Sequence, residues 1–115
     1  MTFHDDLKKY IHEYIKFVYS VTNSFPKEEV YGVTSQFRRA AMSIMLNYVE
    51  GFARKNTEKD KVYRNFLEIS YGSLKETKYL LFFSLDINYI NKEDYNYGLE
   101  LSDNIGKMIW SMIKR

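Results

Sequence analysis

The sequence predicts an all-α fold, an antiparallel up-down-up-down four-helix bundle. Punctuation is sparse, with one Pro and five Gly in 115 residues, so long stretches are free to be helical. Apolar residues recur at intervals of three and four, the helical period, and show no strand-like alternation. The periodic stretches form four segments separated by short polar breaks, the pattern of helices that return antiparallel to their neighbours. A chain of this length suggests one domain, residues 1–115, with one modest core.

The first helix is expected from Phe3 to Val21, with Thr2 as its N-cap. Its inward residues are Leu7, Tyr10, Ile11, Tyr14, Phe17, Val18 and Val21. The stretch TNSFPKEE then breaks the pattern. Pro26 suits a first helical position, and Glu28 and Glu29 suit a first turn. A second helix is expected from about Lys27 to Arg54, bent or split near Gly32 and Thr34. Its apolar face is Val33, Phe37, Ala40, Ala41, Ile44, Met45, Tyr48 and Phe52. At about 28 residues it would be roughly 42 Å long.

RKNTEKD is the next break. Thr57 is the expected N-cap of a third helix, with Asp60 at capping-box spacing. That helix should run to about Leu85, with Val62, Phe66, Ile69, Leu74, Leu80, Leu81 and Phe83 mostly inward. DINYINKED closes it. Asn91 caps a fourth helix carrying Tyr95, Leu99, Ser102, Ile105, Ile109, Trp110 and Ile113.

Composition narrows the function. Hydrophobic residues at 45% and charged residues at 28% are those of a globular chain, not a disordered one. Net charge is +2, which permits contact with RNA or DNA without demanding it. There is no Cys, which removes disulfides, thiolate catalysis and Cys-based zinc sites and fits a cytoplasmic protein. The start, MTFHDDLKKY, has early acids and no apolar run, so it is not read as a signal peptide. The longest apolar run is YLLFF, so no membrane span is expected.

One polar line threads the second helix. Gln36, Arg39, Ser43, Asn47, Glu50 and Arg54 follow one another at three and four on a single stripe. Ser73 and Glu76 form a shorter line on the third helix. A turn centred near Asn56 sets Arg39 opposite Ser73 and within reach of Glu76, and Asn47 opposite Asn65. An Arg39–Glu76 pair, partly buried, would then align helices or subunits more than stabilise them. Small residues at the same level, Ala40, Ala41, Gly72 and Ser73, would allow close approach.

Enzyme readings fare worse. A di-metal bundle wants Glu-x-x-His on facing helices, but His4 and His12 share the first helix and neither stands in that motif. Ser43 and Ser73 have no His near them in this topology. No Gly-rich phosphate loop exists. The expectation is therefore no catalytic residue, no metal and no cofactor.

Basic residues cluster elsewhere. Arg54, Lys55, Lys59, Lys61 and Arg64 surround the turn between the second and third helices. Lys75 and Lys78 extend the line, and Lys107, Lys114 and Arg115 enrich the end of the chain. Phosphates would favour such a rim; so would ordinary solvation of a helix face. Tyr63, Tyr71 and Tyr79 repeat every eight residues, which suits either a subunit contact or a surface on which bases stack.

FPKEEVYGVTSQFRRAAMSIMLNYVEGFARK and FLEISYGSLKETKYLLFFSLDINYI together resemble the four helix bundle protein family, the 23S rRNA intervening sequence proteins. The motifs that carry the resemblance are F-P-x-E-E, Q-x-R-R-A-x-x-S-I, N-x-x-E-G and G-S-L-x-E, in that order, over about Phe25 to Ile90. Their positions include Arg38, Arg39, Ser43, Asn47, Glu50, Gly51, Gly72, Ser73 and Glu76. Met45-Leu46 stands where the family often has Pro-Ala, so a kink expected there is absent. The resemblance implies an antiparallel bundle that assembles as a cyclic homopentamer, with no enzyme activity. It places such genes within bacterial large-subunit rRNA genes and elsewhere. The family is in turn similar to the accessory variability determinant protein of diversity-generating retroelements, which implies nucleic acid and a reverse transcriptase as partners.

The reading is thus a non-enzymatic, oligomeric, nucleic-acid-binding accessory factor. Arg38, Arg54, Lys55, Lys59, Lys61 and Arg64 are the candidate phosphate contacts. Arg39, Ser43, Asn47, Glu50, Gly72, Ser73 and Glu76 are assigned to structure and assembly. The alternative is a protein-interaction scaffold with no nucleic-acid role, docking a partner through its aromatic face.

Overall fold

Thr2 opens the first helix, α1 (Phe3–Thr22), as the sequence leads one to expect: its hydroxyl accepts from the Asp5 amide and Asp5 returns the bond to the Thr2 amide. This capping box satisfies amides that the helix itself leaves unpaired. The computed structural model describes residues 2–56 and 60–115. Three further α-helices follow: α2 (Val33–Ala53), α3 (Lys61–Asp86) and α4 (Lys92–Ile113). They form a rod with extents of 45 × 25 × 21 Å.

Side-chain contacts give the antiparallel order directly. Between α2 and α3, Ser43 meets Ser73, Ser70 meets Ile44, and Arg39 meets Glu76. Between α3 and α4, Lys78 meets Asp103 and Tyr71 meets Trp110. Between α1 and α2, His4 meets Tyr48 and Thr22 meets Arg38. In each pair, one number rises as the other falls.

The second helix is split at Gly32, as the sequence leads one to expect, so α2 itself is shorter than the whole periodic stretch. Pro26 precedes a single 3-10 turn, Lys27–Glu29, and α2 begins only after Gly32. The reason lies in Glu29. Its Oε1 accepts from the Val33 amide at 3.2 Å, supplying the cap that α2 otherwise lacks, and its Oε2 accepts from the Tyr89 hydroxyl at 2.7 Å. A Cβ on Gly32 would lie 2.5 Å from that Oε1, so only glycine leaves the carboxylate its place. From Val33 onward α2 runs unbroken through Met45 and Leu46.

The third helix also starts later. Asp60 is itself the N-cap, accepting from the Val62 amide at 2.8 Å; Thr57 lies outside the described residues. The helix ends on Asn88, whose φ of 65° is left-handed, and the Tyr89 amide reaches back to the Ser84 carbonyl at 2.8 Å. Asn tolerates this conformation better than most residues. Asn91 caps α4 by accepting from the Asp94 amide.

All four helices share one core. Leu7, Ile11, Tyr14, Phe37, Ile44, Leu81, Ile105 and Ile109 are fully buried. The inner stripe of α3 departs from expectation. It is Tyr63, Leu67, Ser70, Leu74, Thr77, Leu81 and Ser84, while Val62 and Ile69 face outward. Tyr10 and Phe52, expected inside, are likewise exposed, and so is Trp110. Most of the buried hydroxyls on α3 bond to main-chain or side-chain acceptors. Ser70 donates to the Ile44 carbonyl at 2.7 Å, and Thr77 to the Leu74 carbonyl at 2.6 Å while accepting from Tyr14 at 2.8 Å. The Ser84 hydroxyl is the exception, buried with no partner.

Candidate nucleic-acid interface

The basic residues gather at one end of the rod. The C-terminal end of α2, the start of α3, the start of α1 and the end of α4 converge there, held by aromatic contacts. The His4 ring lies 4.4 Å from Phe52, Phe52 lies 6.4 Å from Tyr63, and the Tyr63 hydroxyl points at the Met112 sulfur. Arg54 and Lys61 are exposed at this end, and Lys55 and Arg64 are half-buried beside them. Lys114 and Arg115 join them from α4. Lys59 lies outside the described residues.

Aromatic rings hold several of these cations in place. The Lys55 ammonium sits 5.1 Å from the centroids of both Phe52 and Tyr63. The Arg54 guanidinium lies 5.6 Å from Phe66 and pairs with Glu50 at 2.8 Å. Contact with the rings limits side-chain freedom, which lowers the ordering cost of a phosphate contact.

Arg38 is not part of this cluster. It lies sixteen residues before Arg54 on α2, about 24 Å away along the axis. Its Nε donates to Thr22 Oγ1 at 2.8 Å and its guanidinium stacks 4.6 Å from the Tyr19 ring. There it closes the C-terminal end of α1, where a cation suits the helix dipole.

The polar line on α2 divides into two kinds of contact. Asn47 donates to the Ser43 hydroxyl at 2.9 Å, and Ser43 and Ser73 bond at 2.8 Å across the α2–α3 interface. Asn47 therefore serves Ser43 and not Asn65, which is exposed. The expected Arg39–Glu76 pair forms at 3.6 Å, but its side chains are 63% and 56% exposed. It is a surface pair, which contributes at most about 1 kcal/mol. The internal latch is the serine pair.

Gly72 does not sit between α2 and α3. A Cβ placed there would meet nothing within 4 Å. Around the outer side of the α2–α3 seam, Met42, Leu46 and Val49 on α2 and Val62 and Ile69 on α3 are exposed. Among the described residues, no three His, Asp or Glu side chains converge to hold a metal ion, and no helix is long and apolar enough to cross a membrane.

A second basic and aromatic grouping lies between α3 and α4, where Tyr71, Lys75, Lys78, Lys107 and Trp110 line a groove. The sequence shows its lysines and sets Trp110 among the residues of the fourth helix, without joining the two. The available signal was the i, i+3 pairing of Lys75 with Lys78 and of Lys107 with Trp110, halves of one site on separate helices.

A family model described as 23S rRNA-intervening sequence protein matches residues 6–111. Among solved structures, the chain is similar to a protein of unknown function from the S23 ribosomal protein family of Bacteroides thetaiotaomicron. The two are 23% identical over 95% of this chain and 99% of that one, with a TM-score of 0.80. At that identity the likeness is one of fold. No curated protein matches.

Proposed function

Since this chain belongs to the 23S rRNA-intervening sequence protein family, we propose that it is a non-enzymatic, self-associating bundle that binds RNA or DNA as an accessory factor in the cytoplasm. The observation that supports this most is the basic end of the rod. Arg54, Lys55, Lys61 and Arg64 stand together there, with Lys55 and Arg54 held over aromatic rings. A single copy offers few phosphate contacts. A symmetric ring of copies, a homopentamer by family resemblance, would multiply them.

Self-association has its own support. The outward apolar residues at the α2–α3 seam and the unoccupied space at Gly72 fit a helix from a second copy lying close to α3. A ring of identical contacts is the symmetric way to bury such a face. The same face supports a second reading, a scaffold that docks another protein, such as a reverse transcriptase, and touches no nucleic acid.

The test is the combined Lys55→Glu, Lys59→Glu, Lys61→Glu variant, assayed for RNA and duplex DNA binding over a salt series and for mass by light scattering. We expect binding to fall steeply with salt in the parent and to vanish in the variant, with the oligomer intact. Binding that survives the substitutions places the interface elsewhere. An absence of binding at low salt in the parent favours the scaffold.

A further inference from the structure

The α3–α4 groove carries more than the proposed function uses. Tyr71 and Trp110 touch along its rim, with ring centroids 5.4 Å apart and planes inclined by 37°. Trp110 is the sole tryptophan of the chain and remains 47% exposed, although burying it would be favourable. The floor is kept open by Gly106, where a Cβ would come within 3.2 Å of Leu74. Beside the rings, Lys75 holds its ammonium 5.2 Å from the Tyr71 centroid. Lys78 is neutralised by Asp103 at 2.7 Å. Among the described residues, neither Lys75 nor Lys107 has a carboxylate partner.

We propose that this groove is a stacking site for a base of single-stranded nucleic acid, laid against Trp110, with the flanking phosphates held by Lys75 and Lys107. Each part of the site matches one part of a nucleotide. The exposed indole offers a π-face, which every base can stack on. The two unpaired ammonium groups complement phosphates on either side. The volume, about 210 Å³, is below the usual ligand-pocket range of ~300–1,000 Å³, so it admits one ring at a time. A duplex keeps its base faces covered and cannot use such a site. An acidic peptide would satisfy the lysines and leave the indole bare.

The inference rests on the proposed nucleic-acid role and deepens it, since it names a single-stranded target and a contact on the α3–α4 face. The lone tryptophan makes it directly measurable. Titration with hexa-adenylate RNA should quench Trp110 fluorescence saturably, whereas polyglutamate, tripolyphosphate or a short duplex should not. Lys75→Glu with Lys107→Glu should weaken the oligonucleotide about tenfold or more. Trp110→Ala should weaken it roughly five- to a hundredfold, with Trp110→Tyr recovering most of the affinity. Circular dichroism and labelled-oligonucleotide anisotropy, run on every variant, separate lost binding from lost folding.

Equal quenching by polyglutamate and RNA overturns the stacking role. So does an oligonucleotide affinity indifferent to these substitutions in folded protein. If RNA binding is lost only in the Lys55, Lys59 and Lys61 variant, the groove inference fails and the proposed function stands. If the parent binds no RNA at all, both fail.

Discussion

Replacing Gly72 with alanine should move protomer stability and self-association in opposite directions. Glycine in a helix interior costs about 1 kcal/mol relative to alanine. Nothing within the protomer requires it, because a Cβ at that position would have no neighbour within 4 Å. In dilute, dissociated protein, Gly72→Ala should therefore stabilise the fold by about 1 kcal/mol, raising the thermal midpoint by roughly 3–6 °C. If a second helix packs against this point, the added methyl group holds it off and weakens association; Gly72→Leu should abolish it. Thermal unfolding at several concentrations, with light scattering on the same samples, reads both effects. A lowered midpoint in the dissociated protein would show that the position is not open. An unchanged mass for both variants would remove the α2–α3 seam from the interface.

Other substitutions test the interior. Gly51→Ala should do the reverse of Gly72→Ala and destabilise the protomer by about 1–3 kcal/mol in urea unfolding, since its Cβ would lie 2.6 Å from the Phe66 Cβ. Burial pushes the Tyr14 hydroxyl up to about 12, with its bonds to Thr77 and Ser102 pulling the other way. The unfolded chain loses that proton near pH 10, so folding stability should fall by about 2 kcal/mol as pH rises from about 10 to 12. Tyr14→Phe should cost about 1 kcal/mol at neutral pH and flatten that alkaline limb in unfolding curves. Ser84→Ala removes a buried hydroxyl without a partner and should leave stability unchanged or raise it by up to about 1 kcal/mol. Arg39→Met should leave helix content and the melting midpoint nearly unchanged, because the pair it breaks is mostly exposed. A loss of mass in that variant would assign Arg39 to assembly.

The parts of the fold legible in the sequence are those governed by local rules. Thr2 and Asn91 lead apolar-periodic runs and cap them, and the stripe from Leu7 to Val21 announces itself by spacing. The split at Gly32 was legible, but its cause was not, because the cap of α2 comes from Glu29, a residue outside the helix that folds back over Gly32. The inner face of α3 was misread for a different reason. Ser70, Thr77 and Ser84 are polar in isolation yet buried, while the apolar Val62 and Ile69 face outward. Small hydroxyls can satisfy themselves on nearby carbonyls and then pack as small apolar groups. The charge at the α2–α3 end was readable, but Arg38 was not separable from it, since only the fold shows that its guanidinium turns to Thr22 and Tyr19, at the other end of α2 from Arg54. The α3–α4 groove draws its two halves from positions more than twenty residues apart, and only the fold unites them.

The serines between α2 and α3 have a bearing on how freely this hairpin can change. Sliding one helix past the other by a turn, about 5.4 Å, would part Ser43 from Ser73 and Ser70 from the Ile44 carbonyl. Such hydroxyls in a dry interior lose more than they regain elsewhere. Axial alignment is thus keyed from within, independently of the loops and of the outer residues. Substitutions on the outside can accumulate without the helices drifting, so one rigid spine can present different exteriors.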